Sequence, residues 1–233
     1  MLFYRMTTLS FSLLALGDSY TIGEGVPLYE SFPYQTVQLL RKSGKPFSAP
    51  EIIARTGWTT DELAAGIADT RCLPAYDFVS LLIGVNNQYR GRDADEYARQ
   101  FEELLQHALE MAAGQGPAGP IAPAEPREGR VDWKPAGPAQ RVFVLSIPDW
   151  SVSPFAHANL PDARGRDRSK TAREIDVLNN RAEEITRKYR SHFLNITEHT
   201  RSSHQFAADG LHPSGEEYRY WAERLATAIL GGQ

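Results

Sequence analysis

Five residues of this 233-residue chain have the types needed for nucleophilic attack on a carbonyl: Ser19, Gly57, Asn86, Asp209 and His212. A serine hydroxyl attacks efficiently only if a base takes its proton, and neutral histidine is the usual base. That histidine needs an acceptor on its other ring nitrogen to fix its tautomer. Asp209 precedes His212 by three residues, so a single turn can aim both at one cleft. The attacked carbonyl develops negative charge and requires preorganised donors. The N–H of Gly57, where no side chain blocks approach, the side-chain amide of Asn86 and the N–H of Ser19 can supply them. Singly, each residue also has a plainer reading. Ser19 can be an N-cap, Gly57 a turn glycine, Asn86 a helix cap, Asp209 a loop acceptor, and His212 a packed residue at a helix entry. Asp209, His212 and His204 also suggest zinc, but three scattered ligands without tight spacing are weak evidence for it.

The elements that must position these residues are legible in outline. An apolar run from Phe11 to Leu16 reads as a buried strand, closed by the turn and cap chemistry of Gly17-Asp18-Ser19. Further strands are expected at Glu51–Ala54, Asp77–Ile83, Arg141–Ile147 and His192–Ile196. Between them, helices are expected over Ser31–Lys42, from Thr59 onward, over Ala94–Ala113 and over Ser169–Tyr189, with a closing helix through Ile229. Thr59 with Glu62, and Ser214 with Glu217, have the spacing of capping boxes. Strands alternating with helices imply a parallel sheet with right-handed crossovers, and in such sheets ligands bind beyond the carboxyl ends of the strands. Ser19, Gly57, Asn86 and the Asp209/His212 pair all fall at strand or loop ends.

Residues 114–140 break the alternation. They contain five Gly and six Pro, which predicts an irregular Pro/Gly-rich insert, with Trp133 as its large aromatic. No internal repeat is visible, and one domain over residues 1–233 is expected. A net charge of −4 offers no basic surface for nucleic acid, and no run approaches the ~18 apolar residues of a membrane span. Residues 1–16 loosely resemble a signal peptide, but cleavage near Ala15 would remove the first strand. The lone cysteine, Cys72, implies no oxidising compartment, so a cytoplasmic protein is expected, starting at Met1 or Met6.

In this order the residues resemble the SGNH (GDSL-type) hydrolase family. The resemblance rests on Gly17-Asp18-Ser19, Gly57, Gly84-Val85-Asn86 and Asp209-Gly210-Leu211-His212, blocks that span nearly the whole chain. It implies an α/β fold, a three-layer α/β/α sandwich like flavodoxin, around a parallel sheet of about five strands. It also implies Ser19 as nucleophile, His212 and Asp209 as base and partner, and Ser19, Gly57 and Asn86 as the oxyanion hole. No cofactor or metal is implied, and the partner is a small-molecule ester. Two departures stand out: Asn87 follows Asn86 where the family often has Asp, and the insert is long. Thr21 stands where a Gly-x-Ser-x-Gly nucleophile elbow needs its second glycine, which argues against the α/β-hydrolase fold. Trp58, Tyr89, Trp150 and Phe155 are expected around the substrate, as walls suited to short or medium acyl or aryl groups. The alternatives are a carbohydrate O-acetyl esterase, a thioesterase, or a catalytically silent protein binding ligands in the same cleft.

Overall fold

The computed structural model describes residues 10–114, 137–161 and 167–231. The candidate starts at Met1 and Met6 lie outside the described residues, as do the body of the insert and Trp133. Strands β1 (Leu13–Gly17), β2 (Glu51–Ala54), β3 (Phe78–Leu82), β4 (Val142–Leu145) and β5 (His192–Leu194) form one sheet in the order β2-β1-β3-β4-β5. Every neighbouring pair is parallel. The inner strands β1, β3 and β4 are buried along their whole length, which explains their unbroken apolar runs.

The helices are α1 (Ser19–Ile22), α2 (Phe32–Lys42), α3 (Thr60–Ala68), α4 (Val85–Arg90), α5 (Ala94–Ala113), α6 (Pro154–Asn159), α7 (Arg168–Lys188), α8 (Thr197–Ser203) and α9 (Gly215–Ile229). The chain passes from β1 outward to β2, then back across β1 to β3. Right-handed crossovers in opposite directions put their helices on opposite faces of the sheet. Accordingly α2 packs with α9 in one layer, and α5 packs with α3 and α7 in the other. This is the expected three-layer α/β/α arrangement.

The same reversal creates the binding crevice. Register pairs Gly17 at the end of β1 with Ala54 at the end of β2 and with Leu82 at the end of β3. The loops leaving these three strands therefore emerge side by side, where the strand order reverses.

Several expectations need correction at the margins. Phe11 lies outside β1, in an isolated bridge to Phe47, and the last three strands are shorter than their apolar runs. The end of the insert is not irregular, because Pro138–Arg141 forms a 3-10 turn into β4. The Thr59/Glu62 capping box is complete. At α9 only half of one forms: Ser214 Oγ accepts from the Glu217 N–H, while the Glu217 carboxylate turns inward to Thr200, His199 and Trp221.

Candidate active site

Ser19 opens α1 immediately beyond β1 and is only 6% exposed. Asp18 is the N-cap, its side chain accepting from the Tyr20 N–H at 3.0 Å. Burial pushes the Asp18 carboxyl up to about 7, outweighing the hydrogen bond that favours its charged form. Its second oxygen, Oδ2, has no hydrogen-bond partner among the described residues. At the first position of a helix the backbone N–H of Ser19 has no intrahelical acceptor.

His212 reaches the same place from the loop before α9. The Asp209 carboxylate holds the whole turn: Oδ1 accepts from the N–H groups of Leu211 and His212, both at 2.9 Å, and Oδ2 lies 2.6 Å from His212 Nδ1. Nδ1 therefore carries the proton toward the carboxylate, leaving Nε2 as the free basic nitrogen. Burial by itself would raise the Asp209 carboxyl, but the hydrogen bonds from the imidazole and the two amides hold it below the ordinary carboxylate value. The ring is steadied by Tyr20, packed edge-on with centroids 5.6 Å apart. Two backbone bonds fix the turn itself, Ala207 N–H to His212 O at 2.7 Å and Phe155 N–H to Gly210 O at 2.9 Å.

The opposite wall comes from the loops after β2 and β3. Gly57 has φ +83°, a conformation that side-chain-bearing residues rarely adopt. Its carbonyl accepts from Arg90 at 2.6 Å, and Arg90 also pairs with Glu62 at 3.1 Å. Asn86 donates one amide hydrogen to the Trp58 carbonyl at 3.0 Å, which leaves the second hydrogen of its NH2 group available. Asn87 is fully buried and takes no part in the cleft. It accepts from the Thr60 N–H at 3.1 Å and donates to Thr60 Oγ1 at 2.7 Å, locking the start of α4 to the start of α3. The asparagine in place of the family's common aspartate thus serves a tie between the two loops.

Ser19, Gly57, Asn86 and His212 line one cleft of about 220 Å³ together with Tyr20, Tyr89, Trp150, Phe155 and Leu211. Of the four aromatics expected around the substrate, Tyr89, Trp150 and Phe155 are there. Trp58 is not: its indole lies over Gly66 of α3, where any side chain would collide with it, and its backbone carbonyl serves Asn86 instead. Trp150 is also an anchor, its Nε1–H donating to Gln88 at 2.8 Å while Gln88 donates to Glu174 at 2.8 Å. His204 lines a separate depression with His157, Pro154 and Phe206, whose lining includes neither Asp209 nor His212.

Sequence reasoning missed the partners that hold this geometry. Arg90, Gln88 and Thr60 act across long stretches of chain, and no local pattern marks them. Glu24 stands between Gly23 and Gly25, a pattern that marks a turn and no partner.

The fold has well-matched relatives among solved structures. A lipase/acylhydrolase from Enterococcus faecalis superposes with a TM-score of 0.66 at 15% identity, covering 95% of this chain and 96% of that one. An acetylxylan esterase from Geobacillus stearothermophilus gives 0.62 at 16% identity, covering 94% of each chain. A lipolytic G-D-S-L family protein from Veillonella parvula gives 0.58 at 15%, covering 92% and 96%. No curated protein matches the sequence itself. Residues 15–220 match the GDSL-like lipase/acylhydrolase family, and the chain therefore belongs to that family of ester-cleaving hydrolases.

Proposed function

We propose that the chain is a serine esterase acting on carboxylic esters with short or medium acyl groups. The observation that carries this reading is that Ser19, Gly57, Asn86 and His212 line one small cleft, with His212 Nδ1 committed to Asp209. Ser19 Oγ attacks the ester carbonyl carbon while its proton passes to His212 Nε2. The oxyanion is met by the N–H groups of Ser19 and Gly57 and by the free amide hydrogen of Asn86. Collapse of the tetrahedral intermediate breaks the carbon–alkoxy bond, and the departing alcohol takes the proton from Nε2. Water, deprotonated by the same nitrogen, then releases the acid from Ser19.

The size and lining of the cleft support a small acyl portion, since its walls are the rings of Tyr20, Tyr89, Trp150 and Phe155 with Val85 and Leu211. One feature favours a carbohydrate O-acetyl ester as second reading. Tyr89 is 43% exposed and stands edge-on to Trp150 at 5.6 Å, which is an aromatic ledge of the kind that sugars stack upon. The single cysteine, Cys72, supports a cytoplasmic location as part of the same proposal.

The test is covalent labelling with a fluorophosphonate and location of the adduct. Labelling at Ser19, with Ser19→Ala folded but at least about 10³-fold slower on p-nitrophenyl acetate, is the expected result. An adduct elsewhere, or full turnover by folded Ser19→Ala, refutes the assignment. A silent binding protein would take no label.

A further inference from the structure

Glu24 sits at the edge of the cleft and enters none of the chemistry above. Its backbone N–H donates to the Ser19 carbonyl at 3.0 Å, and its carboxylate accepts from the hydroxyl of Thr56, the residue before Gly57. The same Oε2 lies 3.8 Å from His212 Nε2, too far for a hydrogen bond but close for a charge. Gly25 makes this approach feasible: it adopts φ +86°, and a Cβ there would meet Ala207 Cβ at 2.8 Å and Asp209 Oδ2 at 3.3 Å.

Two consequences follow from this placement. The carboxylate ties the nucleophile's loop to the loop carrying Gly57. It also puts a negative charge beside Nε2, the nitrogen that hands its proton to the leaving alcohol. Among the described residues no lysine or arginine lines the cleft, and the cation beside it, Arg90, is engaged by Gly57 O and Glu62. The other charge facing His212 is also negative, Asp209 at Nδ1.

We propose that Glu24 selects substrates by the charge of their alcohol portion, admitting esters of neutral or cationic alcohols and disfavouring esters of anionic ones. The inference rests on the serine-esterase reading, because only a leaving group protonated by Nε2 must pass this carboxylate. It names the substrate class: acyl esters of uncharged or positively charged hydroxyl compounds.

The experiment compares kcat/KM, each divided by the ester's own rate of alkaline hydrolysis, for three para-substituted acetate esters: 4-acetoxybenzamide, 4-acetoxybenzoate and 4-acetoxy-N,N,N-trimethylanilinium. Wild type is expected to discriminate against the benzoate relative to the benzamide by about 5-fold, the size expected of two unit charges about 7 Å apart at a solvated cleft. Glu24→Gln keeps an acceptor for Thr56 and removes the charge, so it should bring the ratio close to one and erase any preference for the cation. Glu24→Ala also removes the acceptor and should lower kcat on all three esters. Raising the salt concentration should shrink the wild-type discrimination without any substitution. An equal loss on all three esters in Glu24→Gln, or a wild-type ratio indifferent to salt, overturns the proposal. Fluorophosphonate labelling of the same preparations separates the two levels. Absence of a Ser19 adduct in wild type refutes the esterase reading and this proposal with it, whereas labelling with unchanged ratios refutes this proposal alone.

Discussion

The two sides of the cleft are built on different principles. The base side is local: Asp209 and His212 lie three residues apart, and one carboxylate caps two amides and orients the ring. The oxyanion side is assembled from distant segments. Asn86 is bonded to Trp58 O, 28 positions away, Asn87 to Thr60, 27 positions away, and Arg90 to Gly57 O, 33 positions away. The Asp209–His212 contacts are specified within the turn, and the longer-range support there is the Phe155 N–H on Gly210 O and the Tyr20 ring against His212. A wall made of tertiary bonds fails when any one of its ties is cut, even a tie that never touches substrate.

That contrast can be broken most sharply at Asn86. The ester carbonyl is weakly charged in the ground state and becomes an oxyanion in the transition state, so a donor aimed there acts on kcat. Asn86→Ala should lower kcat about 10²–10³-fold, with KM much less changed. If Asn86 only buttresses Trp58 O, the variant will melt earlier while its folded fraction turns over normally. Measuring kcat, KM and Tm on one preparation decides between these outcomes.

A smaller effect on turnover tests the tie behind the wall. Asn87→Ala leaves the fully buried Thr60 N–H without its partner and removes one of two from the Thr60 hydroxyl, which still donates to Gln100. It should cost about 1–3 kcal/mol of stability and slow the reaction roughly 10-fold by loosening the Asn86 loop. A corresponding loss of Tm without any loss of kcat would show that α4 holds its place unaided.

The least effect on turnover, and the clearest pH signature, belongs to Asp18, which precedes the residue shared by both sides. Its folded-state value, about 7, lies above the ordinary 3.8, so between those limits the folded chain keeps a proton that the unfolded chain has lost. The stability this contributes is complete below about pH 4 and is lost as pH rises toward 7. Asp18→Asn keeps the cap oxygen for Tyr20 N–H and cannot titrate. Relative to wild type it should therefore gain stability across that window, by up to about 1.4 kcal/mol per pH unit. Chemical denaturation at several pH values measures the slope. Parallel stability profiles would mean that Asp18 is charged in the folded protein.

Much of this molecule was written in short-range pattern. Glu51–Ala54 and Ala94–Ala113 are strand and helix with the bounds that their residues suggest, because apolar runs and 3.6-residue periodicity act within single elements. The order of Ser19, Gly57, Asn86, Asp209 and His212 pointed to one cleft because chemistry restricts which residue types can share it. The 3-residue step from Asp209 to His212 needed no fold to be read.

The tertiary structure decided the rest. Helices α1, α4, α6 and α8 are four to seven residues long, too short to be stable alone, and form only because caps and packing hold them. Trp58 has the composition of a substrate wall but lies on Gly66, because an indole gains more by covering a side-chain-free helix surface than by facing water. Glu217 has capping-box spacing, yet its carboxylate goes to Thr200, His199 and Trp221, since buried donors must be met wherever they lie. Which loops meet at Asn86, Arg90 and Glu24 depends on the reversal of strand order between β2, β1 and β3. Side-chain partners brought together by that reversal are separated by tens of residues, and no local periodicity encodes them.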